Sequence, residues 1–266
     1  MVMLRRTFSR ELAAMGLTAD GRPGPVVTEA DLAPLPAAVQ RYLRFMGVVG
    51  RPRDTSLRMH LRGRFRPSAE RGWLACEAWQ YDSQPDVARI FHMKLRVFGV
   101  AVYGRDVYVG GHGRMLIRPL DLFTVQDAKG PEYDVGELVT YLNDAIFFAP
   151  SMLLAPGTAW SAVDDASFDV AIGDRGLTAR ARVFLDVRGA PKDFETTDRF
   201  TEDPFTRGRP LVRGRWRTPI EGYALVDGRP LPTAGRAVWH LPQGEFPYAE
   251  FTFEPGDVAF NVAPGA

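Results

Sequence analysis

The chain has 266 residues, of which 45% are hydrophobic and 24% charged, with a formal net charge of +1. That is enough apolar material for one large domain or two small ones, and so even a charge balance supplies no global field to draw in nucleic acid or an anionic membrane. The single cysteine, Cys76, excludes an intramolecular disulfide and a cysteine-built zinc site, and its apolar setting (Trp73 to Trp79) predicts a buried, inert thiol.

At the N-terminus, Leu4-Arg-Arg-Thr-Phe8 superficially resembles a twin-arginine export signal, but Arg10, Glu11 and Asp20 interrupt the apolar run that such a signal needs. No stretch reaches the roughly 18 uninterrupted apolar residues of a membrane-spanning helix, so the expectation is a cytoplasmic protein without a transmembrane segment. Residues 1–34 read as an arm and linker: a short amphipathic helix over 1–15, then a loop rich in glycine, proline and acids. From residue 35 to 266 the chain reads as a single β-rich domain. Leu35, Val39, Tyr42, Leu43 and Met46 recur at helical spacing before Gly47, predicting a helix over 36–46.

The period then changes to two. Leu57, Met59, Leu61, Gly63 and Phe65 alternate with Arg58, His60, Arg62, Arg64 and Arg66, as in a strand with one face on a core. Further strands are predicted at 73–81, 88–98, 100–109, 112–118, 158–163, 166–172, 177–187, 193–200, 211–218, 221–227, 235–241 and 247–253. Turn signals between them include Gly110-Gly111, Gly173-Asp174, Arg188-Gly189 and Asp227-Gly228. About a dozen short strands without alternating helices predict a mainly β fold with a few helices, an antiparallel meander curled into a barrel or half-barrel. One helix interrupts it, over 134–149, with Val135, Leu138, Val139, Leu142, Ala145, Ile146 and Ala149 on one face. Asp134 is the expected N-cap with Glu137 completing a capping box, and Pro150 the stop. Phe147 and Phe148 on the otherwise polar side predict protein contact on both faces. The helices over 36–46 and 134–149 are placed on the open side of the sheet.

Tyr141-Leu-Asn-Asp-Ala-Ile-Phe-Phe-Ala-Pro150, Gly157-Thr-Ala-Trp-Ser-Ala-Val-Asp-Asp165, Thr218-Pro-Ile-Glu-Gly-Tyr223 and Trp239-His-Leu-Pro-Gln-Gly-Glu-Phe-Pro-Tyr248 together resemble an uncharacterised bacterial family, a domain of unknown function, over about residues 35–255. That resemblance implies no activity and no catalytic residue. In architecture a long meander broken by a helix is loosely similar to the LolA-type lipoprotein carriers, in which a curved half-barrel holds an acyl chain; those are exported, and no export signal is read here.

Several chemistries find no motif. No lysine follows a glycine, so there is no phosphate-cradling Gly-Lys-Ser/Thr loop, and no serine lies in Gly-x-Ser-x-Gly. His60, His92, His112 and His240 lack ligand spacing; no metal and no cofactor are expected, and His60 and His92 read as surface residues of polar strand faces. Asp164-Asp165 reads as turn chemistry. Glu137 and Asp144 lie two helical turns apart beside Tyr141, which could present acids and a phenol to a cavity, but capping for Glu137 and solvent for Asp144 is the favoured account.

The arginine strands have an echo: Leu61-Arg-Gly-Arg-Phe-Arg66 and Val212-Arg-Gly-Arg-Trp-Arg217. In each, the aromatic points away from the arginines, which argues against single-strand nucleic-acid binding and for a solvated exterior. Like charges cannot sit opposite each other cheaply, so the two strands are predicted to be separated, with acids or glutamines between. The inner faces carry the leading functional expectation, non-enzymatic binding of a hydrophobic small molecule or lipid between sheet and helices. Its candidate ligand-binding residues are Gly63, Phe65, Trp79, Phe91, Tyr103, Tyr141, Asn143, Gly214, Trp216 and Trp239, the glycines leaving space and the aromatics forming walls. The competing expectation for the same space is a core simply filled by the helices. Alternatives are an enzyme using Asp144 and Tyr141 with His112 or His240 in the same cavity, and an interaction module that docks a protein on the arginine face.

Overall fold

The computed structural model describes residues 2–266. Fifteen strands form one open, antiparallel sheet: β1 (Ser56–Phe65), β2 (Leu74–Ser83), β3 (Ala88–Val97), β4 (Val100–Val109), β5 (His112–Pro119), β6 (Gln126–Lys129), β7 (Thr158–Asp164), β8 (Ser167–Asp174), β9 (Leu177–Leu185), β10 (Pro191–Glu202), β11 (Leu211–Arg217), β12 (Ile220–Val226), β13 (Arg229–Leu241), β14 (Gly244–Thr252) and β15 (Val258–Phe260). The spatial order is β6-β5-β4-β3-β2-β1-β14-β13-β11-β10-β9-β8-β7, with β12 on β13 and β15 on β1. Two meanders, β1 to β6 and β7 to β14, are therefore joined along a single seam between β1 and β14. β6 and β15, too short to show a period, escape the sequence reading.

The helices are α1 (Val2–Ala14), α2 (Glu29–Leu32), α3 (Ala37–Phe45) and α4 (Pro131–Phe148). α3 ends where expected, with Gly47 in the left-handed region at φ 66°. α4 begins three residues earlier than predicted. Gly130 is its N-cap and Pro131 its first residue, where a missing N–H costs nothing. Asp134 does not cap; its Oδ1 accepts from the Gly113 N–H at 2.7 Å. From Gly136 to Phe148 every residue of α4 is buried, because the helix lies across the concave face and packs on β3, β4, β5 and β6 on one side and β9, β10 and β13 on the other. The aromatics on its second side meet protein, as read from the sequence. Tyr42 of α3 donates its hydroxyl to the Ile146 carbonyl of α4 at 2.8 Å.

α1 packs on the opposite, convex face, where Phe8 and Leu12 join Tyr81, Ala88 and Ile90 in a second apolar cluster. This overturns the surface reading of His60 and His92. His60 is 5% exposed, stacked on Trp79 with centroids 4.5 Å apart and bonded to Glu77 and Asp257. His92 is 1% exposed under Phe8, and burial, with Arg105 nearby, lowers its pKa to about 3. Cys76 is buried, and burial pushes its thiol up to about 12.

The two arginine strands are separated as predicted, by β14 and β13. Glu250 of β14 lies opposite both Arg64 and Arg236. Gly63 stands on the seam, where a Cβ would fall 1.9 Å from the Glu250 carbonyl oxygen. The glycine is there because two backbones meet, not to leave a dent. Gly63→Ala is expected to destabilise the fold by about 1–3 kcal/mol or more through overpacking that no side chain can relieve; urea denaturation measures it, and an unchanged midpoint would contradict the seam geometry.

Candidate functional site

The concave face and α4 do not fill the space between them. A cavity of about 420 Å³ remains, with Met59, Leu61, Phe91, Met93, Leu95, Met115, Ile117, Phe147, Trp216, Trp239 and Phe251 among its apolar lining. The helices-as-core expectation is thereby corrected. Two glycines open the space, and neither is one of the pair singled out from the sequence. A Cβ on Gly104 in β4 would touch only the Met93 Cε, at 3.8 Å, and one on Gly136 in α4 only the Arg199 Cγ, at 3.7 Å. Gly214 instead makes room for its own neighbours: a Cβ there would meet Leu241 at 2.6 Å and the Trp239 ring at 3.1 Å.

Of the sequence candidates, Phe65, Phe91, Asn143, Trp216 and Trp239 line the cavity. Trp79 and Tyr103 do not. The β1–β2–β3–β4 register puts them on the convex side, in rows with His60, His92, Arg105 and Lys94. Trp79 there packs against the α1 cluster, and Tyr103 lies beneath the Lys94 ammonium. Tyr141 is buried in the main core but is not part of the cavity wall. Gly63 and Gly214 also stand outside that wall.

One part of the wall is charged. Arg89 of β3 donates from Nε to Asp144 Oδ2 at 2.7 Å and from Nη1 to Glu137 Oε2 at 3.1 Å, both acids belonging to α4. Gln80 of β2 bridges Asp144 and Asp82 at 2.7 and 2.8 Å. Arg199 of β10 reaches Glu137 Oε1 at 4.0 Å, donates to the Gly136 carbonyl and the Tyr248 hydroxyl, and lies 4.3 Å above the Trp216 ring. Asn143 donates to Thr218 Oγ1 at 2.6 Å. Asp106 of β4 lines the cavity and receives no hydrogen bond among the described residues.

Four carboxylates (Asp82, Asp106, Glu137 and Asp144) thus stand with two guanidiniums (Arg89 and Arg199) at the cavity wall, Asp82 behind it and joined through Gln80. Burial disfavours their charged forms and raises all four pKa values. Glu137 rises to about 7, through burial and then the Asp106 charge. Asp82 rises well above the carboxylate range through burial and then Asp144, and its Oδ1 has no partner among the described residues. Burial works against the charge on Arg89, but Asp144, Glu137 and Asp82 outweigh it and the guanidinium stays ionised. Glu137 and Asp144 are therefore neither cap nor solvated surface, as the sequence allowed, but the helix side of a buried ion-pair cluster.

The residues grouped for an enzyme do not converge. Asp144 faces the cavity, but His112 is exposed at the β4–β5 turn, and His240 pairs with Glu245 at 3.0 Å away from the cavity wall. The arginine face is neutralised in place: Arg62 pairs with Asp257, Arg64 with Glu250, Arg213 with Asp198 and Arg217 with Asp193. An acid beside each of these arginines argues against a docking face there.

Residues 25–251 match the model of a family of unknown function (DUF6544), and the chain belongs to that family. No curated protein matches. Among solved structures, a DUF1329 family protein from Desulfovibrio piger ATCC 29098 is similar with a TM-score of 0.42 and 9% identity, over 90% of this chain and 95% of that one. No helix among the described residues is long and apolar enough to cross a membrane.

Glu137 carries a pH signature. Its folded pKa, about 7, lies above its unfolded value of 4.5, so between those pH values the folded state holds the extra proton, and stability from this group falls as pH rises through that window. Glu137→Gln, which keeps the neutral shape, is expected to gain stability relative to the parent between pH 4.5 and 7.5. Urea denaturation at a series of pH values measures this; parallel curves for the two proteins would place the Glu137 proton elsewhere.

Proposed function

We propose that this chain binds a small apolar molecule or a single lipid in the cavity between the concave sheet and α4, without transforming it. One observation supports this above the rest: a space of about 420 Å³ with aromatic, methionine and aliphatic walls, inside the range of about 300–1,000 Å³ typical of small-molecule sites. Apolar walls of this kind give water few partners, so filling them with an apolar ligand is favourable. The charged end supplies orientation. Asp106, without a donor among the described residues, would accept a hydrogen bond from the ligand's polar end, and Thr140 and Asn143 also line the space.

A second reading, acid–base chemistry on a bound ligand, is favoured by Glu137 alone, whose proton is held near neutrality at a cavity wall. The two readings separate on the bound ligand incubated with the parent and with Glu137→Gln: it is recovered unchanged from both under the first, and converted by the parent alone under the second.

Native mass spectrometry of the purified protein, with an organic extract in parallel, and binding of the neutral fluorophore N-phenyl-1-naphthylamine test the proposal. The decisive variant is Gly104→Leu. Gly104 is a strand residue outside the positive-φ region with open space over it, so leucine should fold normally while filling the cavity and weakening probe binding by about tenfold or more. An empty extract together with no probe binding, or equal binding by Gly104→Leu, would sink it.

A further inference from the structure

The cavity has a direction, and the strand register sets it. Across β1, β2, β3 and β4 one inward row is Met59, Gln80, Phe91 and Asp106; the next is Leu61, Ala78, Met93 and Gly104. Leu95 and Val102 follow, and Phe65, Leu74 and Val97 come last. Asp82 and Arg89 lie opposite each other one row before the first. Polar groups thus collect at one end, and from Phe91 to Val97 the apolar rows run about 20 Å at about 3.3 Å per residue.

At the polar end the side-chain donors are turned to the protein's own acceptors. Arg89 donates to Asp144 and Glu137, Gln80 to Asp144 and Asp82, and Arg199 to the Gly136 carbonyl and the Tyr248 hydroxyl. Asn143 donates to Thr218, and the Thr140 hydroxyl to the Gly136 carbonyl. What faces the space is acceptors. Asp106 receives no hydrogen bond among the described residues, and Asp144 is bonded there through Oδ2 alone. Asp106 on β4 stands close enough to Glu137 on α4 for its charge to raise the Glu137 pKa, against the opposite effect of Arg89 and Arg199. One cation between two such carboxyls favours the charged form of both.

The remaining charged groups on the wall do not offset this end. Arg66 follows Phe65 and donates to the Pro247 carbonyl, and Arg209 is bonded to the Pro67 carbonyl and bridged to Glu202. Arg236 lies across from Glu250, level with Arg64. All three stand at the far end, and Glu132, in the first turn of α4, adds an acid. A carboxylate or phosphate ligand would bring more acceptors and like charge to Asp106. An alcohol has one proton to give, whereas a primary ammonium has three and the opposite charge.

We propose that the ligand is a primary amine on a hydrocarbon tail, its ammonium held between Asp106 and Glu137 and its tail along the apolar rows. This rests on the apolar-cavity reading and gives the chemistry of the ligand's polar end.

The test is calorimetric titration of the full chain at pH 8 with decylamine, 1-decanol and decanoate, beside binding of N-phenyl-1-naphthylamine. At that pH a primary alkylammonium stays charged, as lysine does. Decylamine should bind about tenfold or more tightly than 1-decanol, and decanoate most weakly. Asp106→Asn, which keeps the shape and removes the charge, should bring decylamine to the level of 1-decanol while 1-decanol and the naphthylamine bind as before; unchanged probe binding shows the cavity intact. The parent gives a second readout without any variant. Glu137 releases its proton near pH 7, so decylamine affinity should rise from pH 6 to 8 while 1-decanol affinity stays level. A parent that binds 1-decanol or decanoate as tightly as decylamine overturns the amine and leaves the cavity reading standing, as does a decylamine affinity that Asp106→Asn or pH leaves unchanged. If neither the naphthylamine nor any of the three chains binds, both fall.

Discussion

Among the polar contacts that hold α4 in place, one guanidinium joins two of its acids. Arg89 reaches from β3 to two acids of a helix that is buried on every side, and the long apolar face of that helix would accept several small rotations or slides without it. Ion pairs in such a setting add little net stability, since desolvation offsets much of their attraction, but breaking one costs about 3–5 kcal/mol because a charge is left alone. The cluster therefore serves as a register device. It also determines what the cavity is: the helix is held at a height where Gly104 and Gly136 leave space, with the same carboxylates forming part of the wall.

Strand periodicity made most of the fold legible. The echoing strands β1 and β11, the glycine turns and the central helix all came from period two, period 3.6 and turn chemistry. What periodicity did not reveal was which face of β2, β3 and β4 is concave. There the usual rule is inverted: Gln80, Asp82, Arg89 and Asp106 point inward, while Trp79, Tyr81, Ile90 and Val107 point outward under or beside α1. A sheet covered on both faces loses the contrast that alternation reports, so Trp79 and Tyr103 were assigned to the wrong side and His60 and His92 to solvent.

The aromatic wall on β1, β11 and β13 was readable because that part of the sheet has one covered face. The glycines were harder. Gly63, Gly104 and Gly214 all occupy strand positions, and sequence cannot say whether the missing side chain makes way for a backbone, for a neighbouring ring or for a ligand. Only the distances around each decide it. The capping reading of Glu137 failed for a related reason: Pro131 three residues earlier is an equally good start signal, and tertiary pairing with Arg89 outweighed the local box.

The single seam between β1 and β14 bears on how the molecule is made. Apart from β11, which pairs with β13 across β12, each meander consists of hairpins between consecutive strands, contacts that form quickly because little chain must be closed. The seam instead joins residues 62–65 to 249–252, so during synthesis β1 has emerged long before its partner exists. For that interval β1 is an open edge, with unpaired backbone groups able to recruit a strand from another chain. The arginines at 58, 62, 64 and 66 then matter before the native fold exists. Like charges along a nascent edge discourage two copies from pairing there, and in the finished protein Glu250 of β14 takes up Arg64 and Asp257 takes up Arg62, while Arg58 and Arg66 donate to the Ala266 and Pro247 carbonyls.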